Sequence, residues 1–467
     1  MLLVKLLGLF ARCRPSFKQQ RTHERFCALM LWMLCAFGRR TVTSAFGFAG
    51  RTQSDWSACY YVFSRAEWEV ETLFEQVFKV GISTRAPSRF IPVAIDDTGK
   101  KKCCKERGQT SWMRDPLSPP FHVNLQHGLR WVHAAHLMQY HDEGQGCRAV
   151  SVAFDLCPPV KKPGKKATDE DWGIYREEKK RHNLSLTGIR VITGLRKTAD
   201  EAGLANKQLH IVADGSYTNS TFIPRLPERV DMTGRIGKKS ALHLPAEGKG
   251  RRVYGERLPS PEEIRKDDKI PYQTTSCFFG GKFRELRFKE ISRVLWPRGG
   301  KRRLLRLLIV APIPYKAHGK NRRYYREPSY LLSTDLESPT QEILQAYLDR
   351  WQIEPLHRDL KDGLGVGQAQ VWSKQSVSRL HRAQVAAYSM LTLAALRTYG
   401  PERTSDFPPL PTWRNKKRRK ASQHDLVTML RNDLIKKDDE WFSTEEVPLE
   451  LMPPDWVLTA RETYAAA

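Results

Sequence analysis

Three acids, with a tyrosine, an arginine and a lysine near the last of them, are spaced so that they could share one reaction centre. Asp96 and Asp214 each follow a short apolar run, and Glu354 lies within a polar helical stretch. A carboxylate at each of two strand ends and a third on a helix is a ligand set for hard divalent cations. Mg²⁺ favours such oxygen donors and keeps water and phosphate oxygens as co-ligands. Two such ions, with Mn²⁺ as a substitute, can activate a water or 3′-hydroxyl and stabilise the leaving oxygen of an in-line phosphoryl displacement. Near Glu354 lie Tyr347, Arg350 and Lys361. At about 100° per residue, these three and Glu354 fall on one helical face about 60° wide.

The stretch 338–363 reads as a single helix. Ser338 suits the N-cap, Pro339 the first helical position, and Gln341 completes a capping box. Gly363 suits the position just past the C-terminus. Pro355 should kink the helix after Glu354, since an interior proline costs about 3 kcal/mol. Taken alone, a mixed-charge face with Arg and Glu four apart also fits a solvated stripe.

The acids need strands to hold them. Residues 90–95 form an apolar run emptying into Asp96-Asp97-Thr98-Gly99, read as a turn, and 209–213 precede Asp214-Gly215-Ser216. Strand alternation puts only one of Asp96 and Asp97 on the active face. The pattern Asp-x-Thr/Ser, shared with Asp214-Gly215-Ser216, favours Asp96. Further strands are expected at 129–136 and 149–154, and a helix over 168–204. The order of elements predicts an α/β fold with a mixed sheet, its acids at carboxyl ends of strands.

The 467 residues carry 78 Lys+Arg against 51 Asp+Glu, a formal charge of +27, which points to a polyanionic partner. Basic runs recur at 100–102, 161–166, 298–303, 320–323 and 416–420, an extended phosphate footprint rather than one tail. Nine scattered cysteines without CxxC spacing argue against a disulfide framework or zinc site and suit a reducing cytosol. The apolar runs 1–10 and 26–37 are too short to span a bilayer, so a soluble, cytoplasmic protein without membrane partners is expected.

Five regions follow. Residues 1–88 read as an N-terminal helical DNA-binding domain, with a possible helix-turn-helix over 41–63 and a Ser64–Glu67 capping box opening the next helix. Residues 89–225 read as the first part of the catalytic core, and 226–330 as a β-rich basic insertion. Residues 331–400 complete the core with the glutamate helix and a strong helix over 376–399. Residues 401–467 form a basic tail with a helix near 425–437.

The spacing Tyr347-x2-Arg350-x3-Glu354-x6-Lys361, together with two upstream aspartates, resembles the YREK signature of bacterial insertion-sequence DDE transposases. The resemblance runs from about residue 90 to 400. It implies a ribonuclease-H-like core, metal binding by Asp96, Asp214 and Glu354, and phosphate contacts from Tyr347, Arg350 and Lys361. It also implies double-stranded DNA partners (terminal inverted repeats and target), a homodimer joining two ends, action on the bacterial nucleoid, and cleavage through a DNA hairpin. Relatives use a tryptophan of the insertion to stack on an unpaired base, a role open to Trp296, which otherwise reads as core. Trp351 reads as a packing residue. A nuclease without strand transfer, and an inactive transposase-derived DNA-binding protein, are the alternative readings.

Overall fold

A computed structural model of the chain describes residues 2–102, 109–115, 118–119, 121–247, 251–316, 322–413, 420–435 and 457. Most of the basic runs at 320–323 and 416–420 lie outside these residues. So do Lys436, Lys437 and nearly all of the tail beyond. Helices open the chain: α1 (Leu2–Ala11), α2 (Gln20–Cys35), α3 (Val42–Phe48), α4 (Ser57–Ser64) and α5 (Val70–Thr84). Strands β1 (Phe90–Lys101), β2 (Ser111–Arg114), β3 (Leu125–Gln139) and β4 (Cys147–Leu156) follow, then α6 (Asp169–Arg181) and α7 (Leu184–Glu201). Next come β5 (Gln208–Ala213), β6 (Val230–Arg235), β7 (His243–Pro245), β8 (Tyr254–Arg257) and α8 (Pro261–Lys266). β9 (Gln273–Phe279), β10 (Lys282–Val294), β11 (Leu305–Val310), β12 (Pro314–Lys316), β13 (Arg323–Tyr325) and β14 (Ser329–Ser333) precede α9 (Thr340–Asp349) and α10 (Ile353–Arg358). The chain then forms α11 (Lys374–Tyr399) and α12 (Gln423–Ile435).

The fold is mixed α/β, built on one mixed sheet ordered β2-β3-β1-β5-β6-β14-β11-β10-β9, with β4 also paired to β3. β1 runs antiparallel to β3 and parallel to β5, which is parallel to β6. Residues 90–95 are buried throughout, as a central strand covered on both faces requires. One expectation fails here. β1 does not turn at Asp96 but continues to Lys101, because β3 is long enough to pair with it as far as Lys101↔Gly128. Only the parallel pairing ends, at Ile95↔Ala213, so Asp96 and Asp214 are the next residues on adjacent chains.

The stretch 226–330 is β-rich as expected, yet its first strand, β6, sits inside the central sheet beside β5, and β9, β10 and β11 extend that sheet. The long helix expected over 168–204 divides into α6 and α7 at His182, where Asn183 accepts from Leu186 N at 3.0 Å and caps the second helix. Ser64 ends α4 rather than capping α5, which begins at Val70 after the buried Trp68. Helices occupy the segments read as a helix-turn-helix, and Gly50 between them takes φ +66°. α1, α2 and α5 all pack on α11, whose residues from Leu380 to Leu396 are buried almost without a break. No helix of the described residues is long and apolar enough to cross a membrane.

The run 338–363 stays helical but changes pitch. α9 passes into a 3₁₀ turn at Arg350–Gln352, then α10, then a π turn at Asp359–Gly363. Pro355 has no N–H for the Trp351 carbonyl, and the backbone tightens in the turn before it. The predicted capping box does not form: Asp335 Oδ1 accepts from Ser338 N at 2.8 Å, and Gln341 Nε2 donates to Ser276 O at 2.7 Å. Gly363 is not left-handed; Gly365 (φ +63°) and Gly367 (φ +91°) make the turn. Gln345 bonds both the N–H (2.6 Å) and the carbonyl (3.0 Å) of Phe278. The two glutamines thus satisfy backbone groups of edge strand β9, which would otherwise invite a further strand, and tie α9 to the sheet.

Candidate active site

A cleft of about 500 Å³ opens where β1, β5 and β6 end their parallel pairing beneath the turn at Arg350. Asp96, Asp214, Arg350 and Glu354 all line it. The acid on β1 that faces this space is Asp96; its neighbour Asp97 does not line it and is influenced by Arg130 and Lys361. Each aspartate is held by a local bond. Asp96 Oδ1 accepts from Asp97 N at 2.8 Å, and Asp214 Oδ1 accepts from Ser216 N at 2.8 Å and Ser216 Oγ at 2.6 Å. The Asp214-Gly215-Ser216 turn is thus a side-chain-closed turn that fixes its carboxylate.

Burial, then the adjacent Asp214 carboxylate, pushes the Asp96 carboxyl up to about 7. Burial also raises Glu354, against the opposing pull of Arg350, whose Nη2 lies 3.7 Å from Glu354 Oε1. Beneath Asp96, its register partner His133 is buried and held well below the ordinary imidazole range by burial, so it adds no positive charge under the acids. Three acids thus share the cleft with two arginines, Arg235 and Arg350. Among the described residues no group of three or more acid, imidazole or thiol side chains, Asp96, Asp214 and Glu354 included, stands ready-made to hold a metal ion. The donors facing the cleft are oxygens, the type suited to a hard cation.

The remaining expected residues are distributed around this cleft. Tyr347 is half-buried with Arg350 5.8 Å from its ring centroid, and burial raises its phenol. Lys361 does not line the cleft; it lies near Lys100, Asp362 and the Asp96-Asp97 pair, and burial lowers its ammonium. The helix is anchored at its centre by Asp349. Its Oδ2 accepts from Gln139 Nε2 and contacts His141 Nε2, both at 2.8 Å, and its Oδ1 accepts from Gln345 Nε2 at 3.3 Å.

Sequence reasoning missed Arg235, which lies at the end of β6 and lines the cleft together with Arg350. Its strand carried little signal, because Val230-Asp231-Met232-Thr233-Gly234 has only two large apolar side chains and lies within 226–330, read as an insertion. Trp296 lines the cleft and packs partly on the core. Trp351 departs from its expected packing role: it is 55% exposed.

Gly299 closes the turn under Trp296, and a Cβ there would lie 1.9 Å from the indole. Gly299→Ala should destabilise the fold by about 1–3 kcal/mol, because the ring must move. The penalty should disappear in a Trp296→Ala background, a coupling that thermal unfolding of the four proteins measures. An equal penalty in both backgrounds would place the strain elsewhere. Compared with models of protein families and with curated proteins, the chain matches none.

Proposed function

We propose that the protein is a DNA transposase that cuts the ends of an insertion sequence and joins them to new DNA by metal-dependent phosphoryl transfer. The observation that carries this reading is the meeting of Asp96, Asp214, Glu354 and Arg350 in one cleft. These residues come from two adjacent strands and a helix far apart in sequence. The strand pattern supports a ribonuclease-H-like core: antiparallel β4, β3 and β1 continue into parallel β5 and β6.

Asp96, Asp214 and Glu354 would hold Mg²⁺, or Mn²⁺ in its place. When bound, such ions polarise phosphoryl oxygens and activate a water or 3′-hydroxyl. Arg350 is placed to clamp a phosphate with two bonds, Tyr347 to fix that guanidinium from below, and Lys361 to add a point charge beyond Asp96. Arg235 adds a second cation to the lining. The half-buried Trp296, in the same lining, is a candidate to stack on a base beside the scissile bond. On this reading the protein works on nucleoid DNA in the bacterial cytoplasm, pairing two element ends as a homodimer.

The test is cleavage of a labelled duplex carrying the ends of the DNA element that encodes the chain, with Mg²⁺, by wild type and Glu354→Ala. Cleavage at the element boundary that vanishes in the variant while DNA binding survives is the expected result. Binding without cleavage by either protein would leave a DNA-binding protein without catalysis. Cutting without joining would leave a nuclease.

A further inference from the structure

On the side of the helix away from the acids lies a groove of about 1480 Å³ that the proposed chemistry does not use. It runs from the end of edge strand β9, past the β12–β13 hairpin, to the 3₁₀ turn and α10. The helix divides the two spaces. Arg350 and Glu354 face the acidic cleft, whereas Trp351, Gln352 and Arg358 line the groove.

The groove has the character of a phosphate track. Lys282, Arg326 and Arg358 on its walls are exposed, and none is ion-paired to a carboxylate among the described residues. Deeper in, Lys420 Nζ is mostly buried and donates to the Cys147 carbonyl and, at 3.3 Å, to Gln352 Oε1. Burial, and then Arg148, lowers its ammonium to about 8. Of the two acids lining the groove, Asp349 is buried and bound to Gln139 and His141, and Asp359 is half-buried. Aromatic side chains line it beside the cations: Trp351 is 55% exposed and Tyr315 is 41% exposed, with Arg326 5.9 Å from the Tyr315 ring centroid.

We propose that this groove binds a single strand of DNA, its phosphates on Lys282, Arg326, Arg358 and Lys420 and its bases on Trp351 and Tyr315. Cations and exposed aromatics in one groove favour an unpaired strand, because stacking needs bases turned out of a duplex. The proposal deepens the transposase reading, on which it rests for the source of the strand: DNA leaving the acidic cleft would pass over Trp351.

The experiment is titration of the full chain with fluorescein-labelled oligothymidylate across a range of salt concentrations. Lys282→Ala/Arg326→Ala/Arg358→Ala together should weaken binding and reduce the salt slope by about 2, at roughly 0.7 per phosphate contact on a single strand. Trp351→Ala should weaken it about tenfold with little change in slope, and Tyr315→Ala serves if that variant does not fold. Unfolding curves superimposable on wild type establish that each variant retains its fold. An unchanged slope and affinity in the triple variant would overturn the proposal. So would equal competition by a short duplex, which assigns the groove to double-stranded DNA, or stronger competition by polyglutamate, which assigns it to an acidic protein. Loss of oligothymidylate binding in the groove variants alongside a failed cleavage assay would remove the transposase reading and leave the groove assignment standing.

Discussion

Asp96→Asn is expected to abolish DNA cleavage, by at least about 10³-fold, and at the same time to stabilise the protein. Both effects have one cause. Asp96 is half-buried beside Asp214, and its carboxyl is raised from the ordinary value of 3.8 to about 7. A folded state that holds its proton more tightly than the unfolded chain loses stability as pH rises from about 4 to about 7 and then levels off. Asparagine cannot ionise, so the variant escapes that loss. Its melting temperature should match wild type near pH 4 and exceed it by several degrees above pH 7. Millimolar Mg²⁺ should raise the melting temperature of wild type at pH 7.5 and leave Asp96→Asn nearly unmoved, because the cation relieves the repulsion that the variant lacks. A thermal scan over pH with and without Mg²⁺ reads all of this before any DNA substrate is known. Equal pH profiles for the two proteins would mean that Asp96 and Asp214 do not share a field. A trade of stability for activity is the usual mark of a functional acid pair.

Asp349→Ala is expected to be the most damaging substitution away from the acids, costing about 2–4 kcal/mol. Asp349 is 5% exposed and engages Gln139, His141 and Gln345. Truncation leaves three half-buried polar groups without their acceptor. The loss reaches the site because the 3₁₀ turn carrying Arg350 begins at the next residue. Gln345 also holds the edge of β9, so weakening it loosens both the helix and the sheet. The variant should melt earlier and cleave more slowly, whereas Asp349→Asn, which keeps one acceptor, should recover part of both. Similar losses for alanine and asparagine would indicate that the charge rather than hydrogen bonding holds the turn.

Part of this arrangement is legible in local sequence. The apolar runs at 90–95 and 209–213, each followed by an acid, announce two buried strands, and a fixed helical repeat suffices to put Arg350 and Glu354 on one side. The α/β class, the helical N-terminal region, the β-rich character of 226–330 and the long helix near 376–399 follow from the same periodicities. These features depend on a few neighbouring residues, so spacing alone carries them.

What lies outside that range was decided by pairing between distant strands. β1 runs on past Asp96 because β3 is there to receive it, and no local signal records the length of a partner. β6 lies next to β5 rather than in a separate insertion, which brings Arg235 to the cleft. The start of α9 was misread for a related reason: Asp335 binds the backbone N–H groups of Glu337 and Ser338, and Gln341 is drawn across to β9. Trp351 was expected to pack, but an aromatic side chain is buried only where another element covers it, and here a groove opens instead. Residue types and helical spacing determined which groups could do the chemistry. Sheet register and the docking of the helix across it decided which of them face the same space, because contacts between distant segments leave no periodic trace in the chain that makes them.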